Sequence, residues 1–480
     1  MMRKFVAVSM VMLLAFLAAC GGAPAGGGAA PATPATPATP ATPGQAPAAP
    51  AEGTAYTLRM LGPGLFSEVT PTGALDLITG LTRPGYEVVI NRWAELRPDV
   101  ELDIIDIPWD GWRAALTTAA LQGDIDIVIH GASITYVVEP LTRFLDATPG
   151  LENQIAAMAK RRTEDDGYPL SQLVPFGMSI TNAPAMVVLD RQIFEDFGAP
   201  IPSLDWTPEE MLAAAGATTG TNPRTGNQNF GMSLFVPGSA NFNYIWASRL
   251  WGAHTIRWGD TLADTIYDYT IPESIRAIQF INDLAQFHSP DYVEGMDRTM
   301  VATENNYLAM HITNSSFGVY NQIRANGLED RFMFLPMPQI QQGPHAGRTA
   351  SHLGDWNMSI ARNSDQQDLA WEFIVFMVTD PVVQQWIVDT FNFPNSIDGL
   401  AYLQTAMHDN YWPAVEMAIS QIPFDYSAST NFSYCSITIA PKIPEMTNAL
   451  MEMFMGNMTP EQVAQHIQTA VEDFLRLQLN

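Results

Sequence analysis

The stretch Val100-Glu-Leu-Asp-Ile-Ile105, together with the segments on either side of it, decides the fold of this chain. It is predicted to form a strand, as are Tyr56 to Leu61 before it and Asp126 to Ile129 after it. Between these strands, Glu87 to Leu96 and Trp112 to Leu121 are predicted to be helices. Strand–helix–strand–helix–strand at this spacing predicts an α/β fold with a parallel sheet and right-handed crossovers.

Ligands of such sheets bind beyond the carboxyl ends of the strands. This rule puts Leu61 to Ser67 and His130 to Tyr136 beside any pocket. Further along the chain, Thr207-Pro-Glu-Glu210 and Thr459-Pro-Glu-Gln462 are capping boxes with proline at the first helical position, and the second opens a helix predicted to run to Leu479. The chain is therefore expected to be α/β throughout.

The first residues have the pattern of an export signal. Arg3 and Lys4 precede an apolar run from Phe5 to Leu17 that only Ser9 interrupts, and two alanines lead from there to Cys20. This pattern in residues 1–19 is typical of a secretory signal peptide, and the run is too short to span a bilayer as a helix. The cysteine resembles that of a bacterial lipobox, which implies a lipid on Cys20; the alternative is an ordinary signal peptide with a chance cysteine. We expect an extracytoplasmic protein, at the cell surface or in the periplasm, that is anchored to a membrane by this lipid.

Residues 20–53 are predicted to be a stalk. From Gly21 to Gly53 the chain is almost entirely Gly, Ala, Pro and Thr, which leaves no apolar face to bury. Proline recurs at every third position from Pro31 to Pro43 and favours polyproline II, which at ~3.1 Å per residue would reach about 100 Å from the anchor. Residues 54–480 are long enough to bury a large core.

Charge and cysteine content exclude several classes of function. The formal net charge is −27 and the lysines are only Lys4, Lys160 and Lys442, so the chain lacks the basic patch that binds nucleic acid. Cys435 is the one cysteine besides Cys20, and with Cys20 lipidated it has no disulfide partner. We expect neither nucleic-acid binding nor a disulfide.

Motifs for catalysis and metal binding are missing from the sequence. Gly131-Ala-Ser133 and Gly177-Met-Ser179 lack the final glycine of a nucleophile elbow, and no His-Glu-x-x-His occurs. The eight histidines are scattered without metal-ligand spacing. We expect no enzyme, no metal and no cofactor. A secreted hydrolase stays open as an alternative, because the 50 acidic residues could include a glycosidase pair.

Several segments, in order along the chain, resemble one family. The first is an aromatic-rich turn, Ile107-Pro-Trp-Asp-Gly-Trp112, and the second is a third strand, Gly123-Asp-Ile-Asp-Ile-Val128. The third, Gly167 to Gly198, resembles a first crossover between lobes. The fourth, Ser351 to Ala361 followed by Ala370-Trp-Glu-Phe373, resembles a return to the first lobe. Over residues 54–480 the chain is similar to the extracellular solute-binding proteins (family 1, sugar-type) of ABC importers.

This resemblance implies a two-lobed fold of the periplasmic-binding-protein type (type II), with the lobes joined by hinge strands. One lobe would comprise about 54–176 and 334–394, and the other about 183–333 and 395–480. A solute would bind in the cleft, the lobes would close over it, and the loaded protein would deliver it to the permease of an ABC importer. The resemblance also implies a monomer that performs no chemistry.

The resemblance and the strand-end rule together give the expected ligand contacts. Aromatic faces can stack on a sugar ring, whereas amide, carboxylate and hydroxyl groups can bind its hydroxyls. Asp355 and Trp356 are the leading pair, and for Trp356 and Trp246 the alternative is packing in the core. The predicted ligand-binding residues are Phe66, Ser67, His130, Ser133, Asn241, Asn243, Trp246, Ser316, Phe317, Asp355, Trp356 and Tyr434.

Two departures from the family pattern leave the solute open. His130-Gly-Ala-Ser133 stands where many sugar binders have an aspartate, and Ser316 with Phe317 stands where relatives have a tryptophan. A sugar or oligosaccharide is the expected solute. The alternatives are a polyamine, which an acidic cleft would suit, and a peptide. A lipoprotein that senses a solute without transporting it would have the same residues.

Overall fold

The computed structural model describes residues 56–63, 70–76, 80–108, 112–130, 137–155, 175–234, 241–253, 255–257, 266–289, 302–313, 316–343, 345–351, 353–421 and 443–479. The predicted signal peptide, the predicted stalk and Cys20, the predicted site of the lipid, lie outside these residues, as does Cys435.

Apart from two short strands, Ala74–Leu75 and Thr82–Arg83, strands and helices alternate from Tyr56 to Ile129, as the sequence predicts. The strands are β1 (Tyr56–Gly62), β2 (Ala74–Leu75), β3 (Thr82–Arg83), β4 (Val100–Asp106), β5 (Ile127–Ile129), β6 (Met178–Pro184), β7 (Met186–Asp190), β8 (Gly220–Thr221), β9 (Gln228–Asn229), β10 (Ile256–Arg257), β11 (Ile266–Tyr267), β12 (Met310–Thr313), β13 (Phe332–Pro336), β14 (Leu353–Ile360) and β15 (Phe393–Pro394). The helices are α1 (Glu87–Leu96), α2 (Trp112–Gln122), α3 (Thr142–Ala147), α4 (Arg191–Phe197), α5 (Pro208–Ala217), α6 (Asn241–Leu250), α7 (Pro272–Ala285), α8 (Ser316–Ala325), α9 (Gln367–Thr379), α10 (Pro381–Asp389), α11 (Ile397–Ala406), α12 (Trp412–Gln421), α13 (Ile443–Phe454) and α14 (Pro460–Leu479).

The larger sheet has, within the described part of the chain, six strands in the order β15-β6-β14-β5-β1-β4. β1 lies between β4 and β5 and is parallel to both, which confirms the parallel arrangement predicted for these strands. β14 runs antiparallel between β5 and β6, and β15 is antiparallel to β6. The sheet is therefore mixed, because its second half comes from chain that returns much later in the sequence.

Alternate side chains of each strand in the larger sheet point to opposite faces, and helices cover both faces. Leu58 and Met60 of β1 lie in a core that also contains Trp93 of α1. Leu61 lies in a different core, with Leu116 of α2. This half of the molecule therefore has helices on either side of one central sheet.

The smaller sheet has β7 between β12 and β13, antiparallel to both. Val187 and Leu189 face a core shared with α4 to α7, α13 and α14. Met186 and Val188 face another core, shared with α8 and α12. All five residues of β7 are buried, which explains the apolar run Met186 to Leu189 in the sequence.

The chain passes between the two sheets at three places among the described residues. At the first, β6 of the larger sheet continues into β7 of the smaller sheet with only Ala185 between them. At the second, the chain after β13 stays bonded beside the smaller sheet up to Ser351, whose Oγ accepts from the Met337 N–H (3.1 Å). Leu353 then joins the larger sheet opposite Pro184. At the third, β15 pairs with β6, and the chain then enters α11, which packs in the core of the smaller sheet.

Both predicted capping boxes are confirmed. Thr207 Oγ1 accepts from the Glu210 N–H (3.2 Å), and the Glu210 carboxylate accepts from the Thr207 N–H (2.7 Å). At the last helix, Thr459 Oγ1 accepts from the Gln462 N–H (3.3 Å), and Gln462 Oε1 accepts from the Thr459 N–H (2.8 Å). These contacts satisfy backbone groups that would otherwise lack partners, so they fix where α5 and α14 begin.

Asp190, at the end of β7, holds the smaller sheet to its surroundings. Its side chain is fully buried, and its carboxylate accepts hydrogen bonds from Arg331 Nη2 (2.7 Å) and Nε (3.0 Å). It also accepts from Asn306 Nδ2 (2.8 Å) and from the Gln192 N–H (3.1 Å), which caps α4. The buried charge is thus both paired and fully hydrogen-bonded, as burial of a carboxylate requires.

We expect Asp190→Asn to lower the free energy of unfolding by about 3 kcal/mol, because it removes one partner of a buried ion pair. The matched control is Asp103→Asn, since Asp103 pairs with Arg59 at 3.6 Å with both side chains about half exposed. That change should cost less than about 1 kcal/mol. Urea denaturation of both variants measures the difference, and equal losses would contradict the structural role given to Asp190.

Candidate functional site

Three partly buried rings come together at the carboxyl end of β5. They belong to His130, which directly follows β5, to Trp112 at the start of α2, and to Trp356 in β14. The centroid of the imidazole lies 5.6 Å from that of Trp112, with 57° between the ring planes, and 6.1 Å from that of Trp356, with 70° between the planes. Of the predicted ligand contacts, His130 and Trp356 are therefore brought together, and we call the three rings the His130 cluster.

The backbone of His130 explains how its ring reaches both tryptophans. Its φ is +61°, in the left-handed region that residues with a side chain rarely occupy. Its N–H donates to the Asn357 carbonyl of β14 (2.7 Å), which extends the ladder between β5 and β14 by one residue before the chain turns. Trp356 packs against the core on one face of the larger sheet and Trp112 against the core on the other. The turn at His130 puts the imidazole at the end of the sheet, where it meets both.

Trp356 lies next to an irregularity in β14. It pairs with Thr181 of β6, whereas Asn357 pairs with Ser179, so the register shifts between Trp356 and Asn357. Such bulges re-aim side chains and are common beside functional sites. The backbone of Asp355 pairs one residue before Trp356, but its side chain lies outside the described part of the structure.

Trp112 is absent from the residues selected from the sequence, although the sequence contained a signal for it. β4 ends at Asp106, and the chain then leads directly into α2, so the strand-end rule applies to Trp112 as it does to His130. Gly62 pairs with Asp106 at the same edge, and a Cβ on Gly62 would lie 2.4 Å from Cβ of Ile129. The strand ends therefore approach closely here. Asp106 lies at this edge, and desolvation by burial raises the pKa of its carboxyl group.

Asn243 and Trp246 of α6 lie in the core rather than at a surface. Both have no exposed area, and the Trp246 ring meets that of Phe280 edge-to-face with 6.2 Å between centroids. This is the packing alternative for Trp246, and a fully buried side chain offers no surface to a ligand. We therefore leave both residues out of the proposed site.

Ser316 and Phe317, at the start of α8, are also buried, at 0% and 3% exposure. The Phe317 ring stacks on Tyr320 with 5.8 Å between centroids and 8° between planes, and it meets Phe393 of β15 edge-to-face. Phe317 therefore does not present the aromatic platform expected in place of the relatives' tryptophan. We leave these two residues out as well.

The other predicted contacts stay predictions. Phe66, Ser67, Ser133 and Tyr434 lie outside the described residues, and for Asn241 only the backbone is described.

The His130 cluster offers flat, partly exposed ring faces, which can stack on the apolar face of a ligand. In the described part of the chain, no group of three or more His, Cys, Asp or Glu residues is arranged to hold a metal ion. Among the described helices, none is both long enough and apolar enough to span a bilayer.

Comparison with known proteins assigns the chain to a family. The family model of the bacterial extracellular solute-binding proteins matches residues 79–384, which is more than half of the chain. This protein belongs to that family. The assignment agrees with the resemblance found in the sequence. No curated protein sequence matches the chain.

Solved structures of solute-binding proteins have the same two-lobed α/β fold. The sugar-binding protein MalE from Xanthomonas citri has a TM-score of 0.64 at 14% identity, over 88% of this chain and 98% of that chain. An ABC substrate-binding protein from Listeria monocytogenes in complex with cycloalternan has a TM-score of 0.59 at 14% identity, over 88% and 99%. A solute-binding protein from Agrobacterium radiobacter in complex with ribitol has a TM-score of 0.60 at 15% identity, also over 88% and 99%. At these identities the likeness establishes the fold alone.

We expect His130→Gly to be more stable than His130→Ala by about 1 kcal/mol. The imidazole is absent from both variants, so the comparison isolates the backbone: glycine adopts a positive φ without steric cost, whereas alanine keeps the strain. Chemical denaturation of the two variants side by side measures the difference. Equal stabilities, or a more stable alanine variant, would refute the left-handed conformation assigned to His130.

Proposed function

We propose that this protein is a lipid-anchored extracytoplasmic receptor that captures a sugar-type solute between two lobes and delivers it to the permease of an ABC importer. The observation that carries the proposal is the His130 cluster: partly exposed rings held at the carboxyl edge of the larger sheet, in a chain of the solute-binding family. Aromatic rings of this kind stack on the apolar faces of sugar rings.

In this proposal the larger sheet with its helices is the first lobe and the smaller sheet with its helices is the second. Two boundaries of the expected division move in this proposal. β6 lies in the larger sheet, so the first stretch of the first lobe extends to Pro184 rather than to about 176. Phe334 belongs to β13, which pairs with β7 in the smaller sheet, and the chain stays bonded there up to Ser351. The second stretch of the first lobe therefore begins near Leu353 rather than at Phe334.

The position of the His130 cluster relative to the crossings supports a site between the lobes. Trp356 lies in β14, which begins at the second crossing, and its partner strand β6 leads into the first. A ligand stacked on these rings would lie next to the chain segments about which the lobes turn. Its contacts with both lobes would then favour the closed arrangement, since a ligand shifts an equilibrium toward the state that it binds better.

The class of solute is proposed from the relatives and from the chemistry of the rings. The similar structures include a protein named as sugar-binding and others solved with cycloalternan and with ribitol. Carbohydrates and polyols share hydroxyl groups with apolar C–H faces, which suits aromatic side chains. We propose binding and release without any chemical step, as in a transport receptor.

A thermal-shift screen of the mature protein tests the proposal. The panel contains monosaccharides, oligosaccharides, polyols, polyamines and short peptides. We expect a saturable rise in the unfolding midpoint with one carbohydrate or polyol class, because a ligand that binds only the folded state at a hundredfold excess over Kd stabilises it by ~2.7 kcal/mol. A rise in the midpoint with polyamines or peptides alone would overturn the proposed solute class but not the proposed role as a receptor. No rise with any compound of the panel would count against a receptor for any of these solutes.

Two tryptophan variants then locate the site of the solute found. Trp356→Ala should weaken binding by about 2 kcal/mol or more if the ring stacks on the solute. Trp246→Ala, the matched control in the core, should lower the free energy of unfolding by about 3–5 kcal/mol and leave the affinity of the folded protein unchanged. Calorimetric titration of both variants separates these outcomes. Unchanged affinity in Trp356→Ala would indicate that Trp356 packs in the core and does not contact the solute.

Lipid anchoring is tested separately by Cys20→Ser. We expect this variant to move from the membrane fraction to the soluble extracytoplasmic fraction, because its thiol can no longer carry the lipid. The wild-type protein fractionated in parallel is the control. A processed variant that stayed with the membrane would show that the anchor lies elsewhere.

A further inference from the structure

Residues 230–234 form an extended segment at the edge of the smaller sheet. Ser233 lies opposite His311 of β12, and on the other side Met232 lies opposite His288, just after α7. The Ser233 N–H donates to the Met310 carbonyl (3.0 Å), and the Met232 N–H donates to the Phe287 carbonyl (3.2 Å). The segment is thus held by main-chain bonds from both sides up to Ser233.

Beyond Ser233, the hydrogen-bond acceptor for the segment is a histidine side chain rather than a main-chain carbonyl. The Leu234 N–H donates to Nδ1 of His288 (3.0 Å), and Leu234 is 1% exposed. A buried N–H needs an acceptor. Nδ1 can accept a hydrogen bond only while it carries no proton, because both ring nitrogens of a protonated imidazole are donors.

We propose that His288 is an acid-sensitive clamp on the end of the 230–234 segment. When Nδ1 takes a proton from water, the Leu234 N–H loses its acceptor and faces another N–H group. The end of the segment at Leu234 then opens. At neutral pH the clamp is closed.

Burial sets the pH range over which the clamp works. It lowers the pKa of His288 from 6.5 to about 4, so the imidazole stays neutral while the segment is closed. In the opened segment the pKa returns toward its ordinary value near 6.5. Between pH 6.5 and pH 4 the opened form therefore binds a proton that the closed form does not. The closed form is fully favoured above pH 6.5 and loses stability as the pH falls through this window.

Among the described residues, the titratable groups on the elements around His288 have the following contacts. The lowering of the His288 pKa comes from burial and is opposed by a backbone hydrogen bond with Met232. On α7, the carboxylate of Asp283 accepts from Gln279 Nε2 (2.7 Å). On β12, Nδ1 of His311 lies 2.5 Å from Ser233 Oγ. The 230–234 segment itself has no titratable side chain.

One further element, α5, packs near His288 through its last turns. A Cβ on Gly216 would lie 3.3 Å from the Phe287 ring. The acidic residues of this helix, Glu209 and Glu210, are in its first turn, at the opposite end. The charge of these carboxylates is therefore held away from the clamp.

Hydrogen exchange of the Leu234 amide in the full-length protein tests the proposal. After correction for the intrinsic exchange rate, its protection should fall about twentyfold between pH 7 and pH 5, which follows from pKa values of about 4 in the closed form and 6.5 in the open form. The amide of Met60, in β1 of the larger sheet, reports any global change. Equal losses at Leu234 and Met60, or no loss at Leu234, would overturn the proposal.

His288→Asn is the matched variant, because Oδ1 of asparagine can accept the Leu234 N–H and does not titrate. Its Leu234 protection should stay within about twofold between pH 7 and pH 5. Ser233→Ala removes the hydroxyl beside His311 and should keep the wild-type pH dependence. A His288→Asn protein with the wild-type pH dependence would show that another group senses the acid.

If His288→Asn gives no cooperative unfolding transition, an NMR titration of the wild-type imidazoles replaces it. A His288 that titrates near 4, together with the loss of Leu234 protection, supports the clamp. A His288 that titrates near 6.5 in the folded protein would overturn it. Neither measurement involves a solute, so the outcome is independent of the proposed function.

Discussion

The two sheets share a single extended segment, Met178–Asp190, and the rest of the fold depends on it. Its first part, β6, is bonded on both sides within the larger sheet, and its second part, β7, is bonded on both sides within the smaller one. Alternate residues of β7 supply side chains to two different cores. At the junction, Pro184 has no N–H to satisfy, and its carbonyl accepts from Ser316 Oγ (3.4 Å) of α8. One unbroken strand can therefore belong to both halves without leaving buried polar groups unpaired.

Buried polar side chains fix the third crossing in a similar way. Asn395 is fully buried and donates through Nδ2 to Ser179 Oγ of β6 (2.9 Å). The Ser396 N–H donates to Gln384 Oε1 of α10 (3.1 Å), and Ser396 Oγ then caps α11 by accepting from the Gly399 N–H (2.8 Å). The larger sheet and α10 thus hold the chain up to Ser396. At each crossing, the change from one sheet to the other is confined to a few residues, because the flanking residues are bonded to one sheet or to the other.

Local patterns predicted the elements well, whereas the arrangement of distant segments could not be predicted from them. The parallel strands and the capping boxes depend on neighbouring residues, and they were confirmed. That β14 lies between β5 and β6 depends on segments far apart in the sequence. The buried position of Trp246 has the same origin: it lies in the core, which is the packing alternative, even though amide neighbours gave this segment the composition of a binding surface. Trp112 was missed because the strand-end rule was applied to the segments after β1 and β5 and not to the segment after β4.

The His130 cluster exists because two neighbouring strands depart from regular geometry at the same point. β5 ends in a left-handed residue, β14 shifts its register between Trp356 and Asn357, and the hydrogen bond from the His130 N–H to the Asn357 carbonyl joins the two irregularities. Regular strands would direct their side chains alternately to the two faces, where they would be covered by helices. Local propensity alone does not set the turn at His130, since a positive φ is uncommon for any residue other than glycine, even for histidine. The surrounding sheet imposes both and holds the rings in place; in the proposed function, a ligand stacked on them would therefore lose little binding free energy in ordering them.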